Sequence, residues 1–115
     1  MRRTVTLEVS GLHRSLRRFA HAWRTGRRVG EIISFESAEL LFRRITPKRW
    51  TLLTVLQASG PLPIRELARR VRRDVKNVHG DVRVLIDIGL VERAGARVQV
   101  PFDEIRAAFS LVRAA

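Results

Sequence analysis

The sequence predicts an α+β fold, on three observations. Val5, Leu7 and Val9 alternate with Thr4, Thr6 and Glu8, the period of a half-buried strand. Between Thr46 and Gly89, three segments carry apolar residues at helical spacing, each bounded by capping or breaking residues. Beyond Gly89, two short apolar runs flank a glycine turn, the pattern of a β-hairpin. At 115 residues and 45% hydrophobic content, the chain has room for one domain, or for a compact domain with an accessory segment, and enough apolar matter to bury a core.

In order along the chain, the first strand ends at Ser10, a capping residue. From Leu12 to Thr25, Leu12, Leu16, Phe19 and Trp23 fall on one side of a helix, with Arg14, Arg17, Arg18, His21 and Arg24 on the other. Gly26 and Gly30 bracket its end, and "EIISFES" follows as a second strand with Ile33 and Phe35 on one face. A strand-helix-strand unit pairs its strands in parallel if they are neighbours. Ser37 then starts a short helix, "AELLFRRI".

Thr46-Pro47 opens a second module, running from residue 46 to 115 and preceded by the strand-helix-strand segment of residues 1–45. Thr46 can accept from the free amides of a new helix, and Pro47 suits its first turn. That helix, to about Ala58, inserts Trp50, Leu53 and Leu56, and "SGPLP" stops it. A short helix from Ile64 to Val71 buries Leu67, Ala68 and Val71. Pro63 stands where a serine or threonine would cap it. The break "RRD" leads to a third helix, capped by Asp74 and ended by Gly89 in the manner of a left-handed C-cap. Strands Leu90 to Arg93 and Val98 to Val100 follow, with a turn at Ala94, Gly95 and Ala96 and a basic tip at Arg97. After Pro101, Asp103 caps a last helix on which Ile105, Ala108, Phe109 and Val112 recur at i, i+3, i+4 and i+7.

Charge narrows the function classes. The net charge is +12, from 23 basic and 11 acidic residues, a field that favours a polyanion, nucleic acid first. The excess is spread along the chain: residues 1–45 hold ten basic and four acidic residues, and 46–115 hold thirteen and seven. The longest apolar runs are a few residues, as in "LLTVL", far short of the roughly 20 that cross a bilayer, and "MRRTVTLEV" moves directly into alternation instead of an apolar leader. The expected location is the cytoplasm. The absence of cysteine excludes disulfides, a thiolate nucleophile and cysteine-type zinc sites.

Helix, short helix, tight break, helix and hairpin is the order of a winged helix-turn-helix, here with an N-terminal strand-helix-strand extension and a C-terminal helix. In that fold the third helix enters the major groove and the hairpin reaches the backbone or minor groove. Val75, Val78, Val82, Leu85 and Ile86 cluster on the side held against the first two helices. Lys76, Asn77, Gly80, Arg83 and Val84 lie opposite. Lys76 suits a phosphate or a guanine edge, Asn77 a two-point bond to adenine, and Arg83 a guanine or a phosphate. Gly80, at the centre of this face, costs the helix roughly 1 kcal/mol relative to alanine and lets a backbone approach closely. His79 beside it is a packed or phosphate-bonding side chain. Arg73 in the break and Arg97 on the hairpin complete the expected DNA-binding set.

The stretch "RDVKNVHGDVRVLIDIGLVE" resembles a subgroup of small prokaryotic regulators within the MarR superfamily, whose members often read D-x-K-N-V-H-x-D-V, and the resemblance covers roughly residues 46–110. It implies a winged helix-turn-helix that binds double-stranded DNA. In those relatives the position of Gly80 is usually a longer, often basic residue, so this chain departs from the pattern at one phosphate contact. Several such regulators are encoded beside toxin-like genes.

No catalytic set assembles. His13 and His21 stand eight residues apart, roughly 12 Å along a helix, too far for one metal. No phosphate loop, carboxylate pair or nucleophile elbow is present, and the chain is expected to be a non-enzyme without cofactor or metal. The expected function is a sequence-specific transcriptional regulator that represses its own operon. One alternative is an antitoxin whose residues 4–36 also bind a small toxin protein, and another is a winged helix used only for protein docking. A homodimer is expected, because a single module reads few base pairs. Its surfaces are the stripe of Leu12, Leu16, Phe19 and Trp23 or the last helix through Ile105, Phe109 and Val112.

Overall fold

In the computed structural model, residues 2–9, 31–111 and 113 are described. The expected first helix, with Leu12, Leu16, Phe19, Trp23, His13 and His21, lies outside them, as does Val112. The elements run β1 (Thr4–Val9), β2 (Glu31–Phe35), α1 (Ala38–Arg44), α2 (Pro47–Ser59), α3 (Ile64–Val71), α4 (Val75–Ile88), β3 (Glu92–Ala94), β4 (Arg97–Gln99) and β5 (Glu104–Ala107). This is an α+β fold with four helices and a small sheet among the described residues.

β1 is the centre of that sheet, ordered β2-β1-β5. Val5 and Leu7 are buried by alternation, and β2 pairs with β1 in parallel, Val5 opposite Glu31 through Val9 opposite Phe35. Glu8 is buried as well and accepts from the Ser34 hydroxyl at 3.0 Å.

The last segment overturns the expected C-terminal helix. Glu104–Ala107 is a strand, parallel to β1, with Val5 opposite Ile105 and Leu7 opposite Ala107. Asp103 does not cap a helix. Its carboxylate accepts from the Arg3 amide at 2.7 Å, while the Asp103 amide donates to the Arg3 carbonyl at 2.8 Å. The physical reason is competition. Glu104, Ile105, Arg106 and Ala107 fit a two-residue period as well as a helical one, and β1 offers an edge of unmade hydrogen bonds that a lone helix face does not. Ile105 therefore sits half-buried in a sheet instead of on a helix face. Phe109, past the strand's end, meets Phe42 edge-on at 5.7 Å.

The helical module follows its punctuation. The Thr46 hydroxyl accepts from the Arg49 amide at 3.3 Å, Pro47 occupies the first turn of α2, and Gly60 ends it at φ 80°. α3 starts at Pro63 without a side-chain cap, as its sequence implies. Asp74 caps α4 by accepting from the Lys76 amide at 2.7 Å, and Gly89 ends it at φ 100°. Leu52, Leu53 and Leu56 of α2, Leu67 and Ala68 of α3, and Val78, Val82 and Leu85 of α4 form one core with Leu90 and with Val5 and Leu7 of the sheet.

Two expected core residues are not in it. Trp50 is 42% exposed, because at 100° per residue it lies roughly 110° from the centre of the Leu52–Leu53–Leu56 face. Val75 is exposed because it is the first residue of α4, ahead of the turns that pack. The hairpin pairs Glu92 with Gln99 and Ala94 with Arg97, so its two-residue tip is Gly95-Ala96 and Arg97 begins the return strand. Leu90 and Val91, expected in the first strand, are instead buried in the core ahead of it. Two backbone bonds between Leu62 and Val98, of 3.0 and 2.9 Å, tie the hairpin to the loop between α2 and α3.

Candidate nucleic-acid interface

With Val78, Val82 and Leu85 turned into the core, the opposite side of α4 faces solvent. Lys76, Asn77, His79, Gly80 and Arg83 are all exposed there. Lys76 and Arg83 are seven residues apart, about 10 Å along the axis, comparable with the roughly 12 Å width of a B-DNA major groove. Asp87 lies on the same side two turns past Gly80 and is exposed, so the cationic stretch of this face runs from Lys76 to Arg83 and ends ahead of the last turn of the helix.

Gly80 is the informative position. A Cβ placed on it would meet nothing within 4 Å, and its φ is not positive. Neither packing nor backbone geometry within the described residues calls for a glycine, and the space in front of the helix at this position is open.

Arg73 is placed differently from the other expected site residues. Its Nη2 donates to Asp81 Oδ2 at 2.6 Å, and its Nη1 is buried with no hydrogen-bond partner. The other carboxylate oxygen, Oδ1, accepts from Arg49 Nε at 3.0 Å. Arg49 Nη1 also donates to the Arg44 and Arg43 carbonyls, at 2.9 and 3.4 Å, at the C-terminal end of α1. Burial pushes the Asp81 carboxyl up, but donation from Arg73 and Arg49 outweighs it and holds the group below its ordinary 3.8. This bridge joins α1, α2, the turn and α4, and orients the exposed face without being part of it. Sequence reasoning missed it, since Arg49 and Asp81 are 32 positions apart and no local spacing signals the pair.

The turn between α3 and α4 exposes Arg72, held at φ 55° and ψ 49° in the left-handed region. Arg69 and Arg70 are engaged with Glu66, whose pKa hydrogen bonds from the two guanidiniums lower to about 2. On the hairpin, Arg93 and Arg97 are exposed. Among the described residues no group of three or more His, Asp or Glu could hold a metal, and no helix is long and apolar enough to cross a membrane.

A second surface feature is an open apolar groove of about 730 Å³ between α1, the start of α2 and the end of β5. Phe42, Trp50 and Phe109 are its exposed aromatics, on the rim, Leu7 and Leu41 are buried at its floor, and its polar lining residues are Thr46 and Thr51.

A search of curated proteins and a search of solved structures each found no match. A family model described as HVO_A0114 matches residues 44–107, from the end of α1 through β5 and over more than half of the chain. The chain belongs to the HVO_A0114 family.

Proposed function

We propose that the chain is a sequence-specific double-stranded DNA-binding regulator of transcription, built as a winged helix-turn-helix in which α4 enters the major groove and the β3–β4 hairpin lies along the backbone. The observation that carries the reading is the exposed face of α4 from Lys76 to Arg83, where Lys76, Asn77 and Arg83 surround a glycine that neither packing nor backbone geometry calls for. Lysine and arginine there match phosphates and guanine edges, and Asn77 matches an adenine edge. The net charge of +12 supplies the sequence-independent attraction. The order of α2, α3, α4 and hairpin, and the resemblance of residues 46–110 to MarR-superfamily regulators, point the same way.

The test is selection of a bound sequence from a randomised duplex library, followed by titration of that duplex at fixed salt. Lys76→Ala and Arg83→Ala should weaken binding, and Asn77→Ala should relax the preference at one base pair by about 1–3 kcal/mol. Arg97→Ala should weaken all sequences alike and reduce the salt slope by about one. If the four substitutions leave affinity unchanged, α4 and the hairpin are not the reading surface.

A further inference from the structure

We infer that β5 is the interface of a symmetric homodimer, two copies joining edge to edge by antiparallel pairing of Glu104–Ala107. β5 is an outer strand of the sheet, and among the described residues it is paired on one side only, with β1. An open edge is a row of unmade backbone hydrogen bonds, and its sequence decides what can complete it. A two-fold axis through Ile105 sets Glu104 opposite Arg106 of the second copy, Arg106 opposite its Glu104, and Ile105 opposite its Ile105. Within one copy Glu104 accepts from Arg2 at 3.2 Å and stands 4.0 Å from Arg106, so pairing trades these solvent-exposed contacts for matched charges across the axis, with an apolar pair at its centre.

Electrostatics selects a second copy as the occupant. Two chains of +12 repel, so they associate only where the surface is neutral or internally matched. The groove beside β5 has no charged residue in its lining, and β5 adds one acid and one base. β2, the opposite edge of the sheet, carries Glu31 as its only charged residue, and Arg3 already donates twice to that carboxylate at 2.8 Å. Self-pairing of β2 offers no charge match. Area favours the same contact. Phe42, Trp50 and Phe109, 58%, 42% and 41% exposed, leave on the order of 300 Å² of aromatic surface per copy, at the scale that marks functional patches on monomers. The paired sheet runs to six strands, with the helices of both copies on one face.

The test needs no DNA, so it stands or falls separately from the proposed function. Sedimentation equilibrium at tens of micromolar should give the wild-type chain a mass near twice the 13.2 kDa of one copy. Glu104→Arg and Arg106→Glu should each weaken the dimer at least tenfold, while an equimolar mixture of the two regains it, because each copy then presents the charge the other needs. An ion pair within one chain cannot be restored by mixing. Ile105→Cys, in a chain without cysteine, should form a disulfide-linked dimer on oxidation, and this arm decides the matter should a charge variant fail to fold. A wild-type mass of one copy, single variants that dimerise like the wild type, a mixture that stays monomeric, or an Ile105→Cys variant that does not cross-link would overturn the inference.

Discussion

Replacing Asp81 with alanine removes the one carboxylate that Arg49 and Arg73 share. The three side chains are 17%, 19% and 21% exposed, so the substitution strands two guanidiniums with limited access to water. Breaking a fully buried ion pair from one side costs about 3–5 kcal/mol, and each charge-assisted hydrogen bond contributes roughly 1.5–3. Because both guanidiniums keep about a fifth of their surface, the expected loss is about 2–4 kcal/mol at pH 7, on the order of 10 °C in Tm for a domain of this size. Urea and thermal melts followed by circular dichroism measure it directly. The pH dependence has a definite sign. The folded carboxyl titrates below its ordinary value of 3.8, so its contribution is in place above about pH 4 and is lost as pH falls through the lower folded value. The gap between wild type and Asp81→Ala should close on acidification. A loss below about 0.5 kcal/mol at pH 7, the range of a neutral surface change, would refute the assignment of a structural bridge.

Two further substitutions probe the backbone of the helical module and its proposed DNA contact. Gly80→Ala should stabilise the free protein by roughly 1 kcal/mol, since the new methyl meets nothing, and should weaken DNA affinity at least tenfold. Unchanged affinity in the same titration would show that no backbone approaches there. Arg72→Gly relieves a left-handed non-glycine residue and should raise stability by about 0.5–1 kcal/mol in a urea melt, the strain of that conformation being partly offset by glycine's unfolded-state entropy. A lower midpoint would contradict that reading of the turn.

What was legible in the sequence was what neighbours along the chain decide. Thr46-Pro47, Asp74 and Gly89 bound their helices because capping and left-handed closure involve residues within a turn of each other. Gly95 marked the hairpin, and the alternation of β1 showed its buried face for the same local reason. The basic and amide side chains on α4 were legible because Val78, Val82 and Leu85 define the buried side, and helical geometry then places Lys76, Asn77, Gly80 and Arg83 opposite.

Tertiary structure decided the rest wherever two residues distant in sequence compete with a local alternative. Residues 104–107 satisfy helix and strand periodicity alike, and the free edge of β1, a hundred residues earlier, settles them as a strand through bonds such as Asp103 to Arg3. Arg73 sits among the basic residues that a sequence assigns to DNA, and only the fold brings Asp81 and Arg49 against it. Trp50 has the composition of a core residue, but the azimuth of its helix against α3 and α4 leaves it on the rim of a groove. Local spacing determines which face an element presents, because a few dihedral angles set it. Which partner that face meets depends on the free energy of the whole packed chain, and there long-range pairing outweighs local propensity.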